Sequence, residues 1–87
     1  MFMNSEEAMV AVGELPLMLT LAEAAAVLRI GRTSAYDEAR QYLASGGATG
    51  IPVIRIGRLL RVPRWALAFY LVHGRPPRLG HLGGEAA

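Results

Sequence analysis

Apolar positions recur at helical spacing from Leu21, where Leu21, Ala24, Ala25 and Leu28 share one side, so the pattern predicts a helix over 21–28. Thr20-Leu21-Ala22-Glu23 is a capping box that fixes where this helix starts. Its alanines permit a second helix to approach closely across the short turn Arg29-Ile30-Gly31, with Ile30 filling the space between the two. A second helix is expected over 32–44, with Ala35, Ala39, Tyr42 and Leu43 inward. Its other side carries Thr33, Asp37, Arg40, Gln41 and the small Ala44. Ser45-Gly46-Gly47-Ala48-Thr49-Gly50 ends the helix and reads as a flexible connection.

Residues 51–62 read as a β-hairpin with strands over 52–56 and 60–62. A two-residue loop at Gly57-Arg58 would set Arg55 opposite Leu60 and Ile54 opposite Arg61, mixing apolar and charged positions on both faces. A three-residue loop of Gly57, Arg58 and Leu59 instead turns Ile54, Ile56, Leu60 and Val62 inward and leaves Arg55 facing Arg61 outward, and that register is expected. A third helix follows over 63–73, with Pro63 at its first position and Leu67, Tyr70 and Leu71 inward. Trp65, Ala68, Phe69 and Val72 give it a second apolar face that a domain this small cannot bury alone. Trp65, Phe69 and Val72 are therefore candidates for binding protein, either residues 1–18 of the same chain, a second copy, or another partner.

The expected fold is mainly α with a β-hairpin, in one domain over 19–73. Residues 1–18 form an N-terminal extension that reads equally as a short helix through Val12, capped at Asn4-Ser5-Glu6-Glu7, or as an apolar tail. Residues 74–87 read as a flexible Gly/Pro-rich tail.

Charge sharpens this picture. Residues 1–28 carry Glu6, Glu7, Glu14 and Glu23 with no base, a net of −4. Residues 29–64 carry seven arginines against Asp37 and Glu38, a net of +5, and the remainder adds Arg75 and Arg78 against Glu85, a net of +1. All nine basic residues are arginine, whose planar fork suits phosphate oxygens and guanine edges. A GC-rich coding sequence accounts for the absence of lysine but not for the clustering. The second helix thus offers Arg32, Thr33, Ser34, Tyr36, Asp37, Arg40 and Gln41 as candidate contacts to DNA. Arg55, Arg58 and Arg61 on the hairpin are candidate phosphate contacts. Arg64 opposes the dipole of the third helix and suggests a phosphate capping that helix, and Arg29 and Arg75 are further phosphate candidates.

Other classes fit less well. The chain has no cysteine, which excludes disulfides and thiolate zinc sites and suits a cytoplasmic protein. No apolar run has the length of a membrane span, and the N-terminus has no basic segment of the signal-peptide kind. His73 and His81 lie across a Pro-Gly break with no carboxylate cluster, so no metal or other cofactor is expected. A recombinase tyrosine would need a far larger fold around it, so no enzyme is expected.

The wording Leu19-Thr20-Leu21-Ala22-Glu23-Ala24-Ala25, then Ile30-Gly31-Arg32-Thr33-Ser34-Ala35-Tyr36, then Val53-Ile54-Arg55-Ile56-Gly57-Arg58, then Arg61-Val62-Pro63-Arg64 resembles the excisionase-type DNA-binding domains, or recombination directionality factors. These have a MerR-like winged helix-turn-helix fold, and the likeness spans residues 19–71. It implies that helix 32–44 lies in the major groove and that the hairpin tip at Arg58 reaches the adjacent minor groove. It also implies binding to attachment-site double-stranded DNA, DNA bending, self-association on DNA and an integrase as partner. Related domains act in transcription regulation, which keeps a small transcriptional regulator as an alternative; a protein-interaction module without DNA binding is a second. Two departures stand out. Gly31 occupies a position where such domains commonly carry a capping serine, and Asp37 with Glu38 makes helix 32–44 less basic.

Overall fold

The computed structural model describes residues 12–79 together with Asn4 and Glu6. Six elements follow in order: strand β1 (Met18–Thr20), helix α1 (Leu21–Leu28), helix α2 (Arg32–Ala44), strands β2 (Ile54–Ile56) and β3 (Leu59–Pro63), and helix α3 (Arg64–His73). The strands form one antiparallel sheet in the order β1-β3-β2. Of the short helix considered for the first segment, Glu6 and Val12 are helical, and residues 7–11 between them lie outside the described residues.

Local chemistry sets both ends of α1. The Thr20 hydroxyl accepts from the Glu23 N–H at 3.1 Å and the Glu23 carboxylate accepts from the Thr20 N–H at 2.8 Å, closing the expected capping box. At the other end Arg29 takes a left-handed conformation, and the Ile30 N–H donates back to the Ala25 carbonyl at 3.0 Å. Ala24 and Ala25 of α1 share one core with Ala35 and Ala39 of α2, so small side chains do let the two helices meet. Ile30 does not fill the gap as expected: it stands 37% exposed and outside the core that the alanines share. Leu43, placed inward by its spacing, is also 37% exposed; Tyr42 beside it takes the buried position.

The sheet differs most from expectation. β1 has no alternation to announce it, and it exists because Leu19 finds Val62 across the sheet, where both are buried. The hairpin closes over two residues, with Ile54 opposite Arg61, Arg55 opposite Leu60 and Ile56 opposite Leu59, which corrects the register expected above. Gly57 has φ +61° at the first loop position, the conformation a two-residue hairpin turn demands of a glycine. With β3 central, Val53, Leu60 and Val62 serve the core, while Ile54, Ile56 and Leu59 lie on the outer face together with Met18. The expected register assumed a polar outer face, and this sheet has an apolar one. α3 begins one residue later than expected, with Pro63 as its N-cap and Ala66 and Leu67 as its most buried side chains.

Two segments expected to be flexible are tied down. Between α2 and β2 the Ser45 hydroxyl accepts from the Ala48 and Thr49 N–H groups, and the Ile51 N–H donates to the Glu38 carbonyl at 3.2 Å. Gly50, at φ +97°, crosses α2 so closely that a Cβ there would lie 2.2 Å from the Glu38 carbonyl oxygen. Beyond α3, the Leu79 N–H donates to the Tyr42 hydroxyl at 2.6 Å, which in turn donates to the Pro77 carbonyl, and Leu79 joins the core. Residues 80–87 of the expected tail lie outside the described residues.

Gly50→Ala should lower unfolding free energy by at least about 2 kcal/mol in urea titration, since both the contact and the left-handed φ exclude a side chain. Tyr42→Phe should cost about 1–3 kcal/mol, because it strands the Leu79 N–H and the Pro77 carbonyl. Burial raises the Tyr42 hydroxyl above its usual value of 10.0, opposed by the Leu79 hydrogen bond and by Arg78. Burial raises Tyr70 likewise, helped by Glu38. Deprotonation is therefore easier in the unfolded chain: this contribution to stability is complete below pH 10 and is lost as pH rises through the folded values, and Tyr42→Phe should flatten that alkaline decline.

Candidate nucleic-acid interface

Helix α2 has thirteen residues, and three of them, Ala35, Ala39 and Tyr42, are buried. The other ten are exposed, including Arg32, Thr33, Ser34, Tyr36, Asp37, Arg40 and Gln41. A helix that served packing alone would bury a wider stripe. Its mean hydropathy is low for the same reason, and tertiary contacts hold it from one narrow edge.

The N-terminus of α2 faces solvent without help. Gly31 contributes its carbonyl to the Ala35 N–H at 3.0 Å but no side-chain cap, and the first turn has no acidic residue. Its leading amides are therefore open to an anion. One turn on, Arg40 pairs with Asp37, an exposed contact worth at most ~1 kcal/mol that orients the guanidinium more than it stabilises the helix. Gln41 donates to the Thr49 hydroxyl at 3.1 Å, which fixes its side chain against the following loop.

The hairpin arginines do not form one surface. Arg58 occupies the tip, but the observed register puts Arg55 and Arg61 on opposite faces. Arg61 is half-buried and donates to the Leu60 carbonyl at 2.9 Å. Arg64 is also engaged within the fold. Its guanidinium donates to the carbonyls of Gly13 at 3.2 Å and Leu15 at 2.6 Å, while its backbone N–H donates to the Leu17 carbonyl at 2.8 Å. Those carbonyls account for a cation in the first turn of α3 without a phosphate. No spacing signal foretold this contact, because its two halves are far apart in sequence.

The three side chains proposed for protein contact also separate. Val72 packs against Val12 and Ala68, so the chain's own N-terminal segment covers part of the second apolar face of α3. Phe69 is half-buried, its ring centroid 4.2 Å from that of His73, with the Arg75 guanidinium 5.7 Å above it. Trp65 remains 55% exposed beside a groove lined by Val12, Leu17, Met18, Ile54, Pro63 and Ala68. Leu17, Met18 and Ile54 of that groove escaped sequence reasoning, which had placed Ile54 inward and Leu17 and Met18 outside the domain.

Among the described residues, no cluster of histidine, aspartate and glutamate suits a metal ion, and no helix is long and apolar enough to cross a membrane. Comparison with protein-family models, with curated proteins and with solved structures finds no match.

Arg64→Met retains the aliphatic stem but removes the bonds to Gly13 and Leu15. It should lower stability by about 1.5–3 kcal/mol in chemical denaturation, with hydrogen exchange accelerating first around residues 12–20.

Proposed function

We propose that this chain is a sequence-specific DNA-binding protein of the excisionase type, a winged helix-turn-helix whose helix α2 enters the major groove of attachment-site DNA. The observation that carries the reading is the outer side of α2. A helix buried only at Ala35, Ala39 and Tyr42 leaves Arg32, Thr33, Ser34, Tyr36, Asp37, Arg40 and Gln41 open along one element that a major groove accommodates. The uncapped N-terminus suits a backbone phosphate, which would stand in for the missing serine at Gly31.

The hairpin has a smaller part in this reading than its arginine count suggests. Arg58 at the tip is the phosphate or minor-groove contact. Arg55 and Arg61, on opposite faces, cannot both meet the same strand side by side. Arg64 positions the N-terminal segment. The exposed groove beside Trp65 supports a protein contact, with an integrase or a neighbouring copy on DNA as its occupant. In that role the protein bends DNA and directs recombination toward excision without cutting DNA itself.

Footprinting on DNA flanking the gene tests the reading. Protection of several adjacent repeats with marked bending is the expected result, whereas one operator beside a promoter would assign the chain to small transcriptional regulators. Arg32→Ala and Arg40→Ala should each weaken binding by about 1–3 kcal/mol where the guanidinium reads a base edge. The slope of log affinity against log salt should fall by roughly 0.9 for each phosphate contact removed. A wild-type chain that binds duplex DNA with no salt dependence, or not at all, sinks the proposal.

A further inference from the structure

Among the described residues Arg29 is the one non-glycine with positive φ, at 60° with ψ 44°, and five glycines hold the other such positions. The left-handed region crowds the Cβ of any L-residue against its own carbonyl, so glycine is favoured there, with asparagine and aspartate the usual exceptions. The backbone at Arg29 performs the ordinary task of that position, closing α1 through the carbonyls of Ala25 and Ala26. Glycine would perform the same task without strain.

A cation near the last carbonyls of α1 is favourable, and this is the simplest reason for an arginine here. That purpose does not require a strained position. The last turn of α1 contains no basic residue, and Ala26 within it is exposed, so an arginine at 26 would serve the dipole in helical conformation. The Arg29 guanidinium also serves no other group in the fold, since among the described residues it has neither a hydrogen bond nor an ion pair. What distinguishes position 29 is its place: it is exposed on the turn that leads directly into α2, three residues before Arg32.

We infer that Arg29 is a DNA phosphate clamp, retained at the expense of stability so that its guanidinium grips the backbone flanking the groove that α2 occupies. This rests on the DNA-binding reading above and deepens it by adding a contact outside α2 and the hairpin. Arg29 touches no base, so it contributes affinity and register without selecting sequence. Its loss therefore weakens binding to all duplexes alike.

The test uses the full chain, Arg29→Gly, and the double variant Ala26→Arg/Arg29→Gly, each titrated with a random-sequence duplex over a range of salt and each unfolded in urea. Arg29→Gly should unfold at an equal or higher urea midpoint. Its affinity should fall roughly five- to tenfold and its salt slope by about 0.9. The double variant, which restores net charge within the last turn of α1 but not at position 29, should bind as weakly as Arg29→Gly. Unchanged affinity in Arg29→Gly, a lower urea midpoint, or recovery of affinity in the double variant overturns the inference and leaves the DNA-binding reading standing. Failure of the wild-type chain to bind duplex overturns both.

Discussion

Backbone against backbone is the constraint on which this fold depends. Where residues 50 and 51 cross α2, Gly50 leaves no room for even a methyl group beside the Glu38 carbonyl, and the Ile51 N–H bonds to that same oxygen. Closeness there fixes where β2 starts relative to α2. It also explains how a helix with so few buried side chains stays in place. Ala35 and Ala39 let α1 come near, Gly50 lets the loop come near, and Tyr42 reaches the segment after α3 with its hydroxyl. Holding α2 by contacts at short range on one edge is what leaves its other side free.

The sheet solves a different problem. A chain of this size buries only about 60 to 65% of its unfolded surface, so each apolar face needs a partner. Leu19, Val53, Leu60 and Val62 find theirs beneath the helices. The opposite face keeps Met18, Ile54, Ile56 and Leu59 open to solvent, and Met18 and Ile54 of this set border the groove beside Trp65. Arg64 supports this side of the molecule by gathering three carbonyls of the segment before β1.

What the sequence made legible was local. Thr20 and Glu23 cap within one turn, and Gly31 and Gly74 punctuate within two residues, so α1 and α2 fall where their spacing predicts and α3 is displaced by one residue. The hairpin was legible as a hairpin, but its register was decided by Gly57 and by a central β3, not by an alternation of apolar and charged positions. β1 is three residues long and gains its identity from a partner strand beyond both α1 and α2, which no window of sequence reveals. The same distance hid the roles of Arg64 and Tyr42. Of the candidate site, the exposed face of α2 followed from periodicity, whereas the division of Arg55 from Arg61 required the register.

The order β1-β3-β2 has a consequence for how the molecule assembles. β2 and β3 are joined by two residues and can zip early, since closing so small a loop takes little chain entropy. β1 pairs with β3 across the whole of α1, α2 and the crossing at Gly50, a longer loop whose closure costs more chain entropy. An open β3 edge is the hazard that the β1 pairing removes, since without Met18–Thr20 beside it β3 would present unpaired backbone groups to another chain.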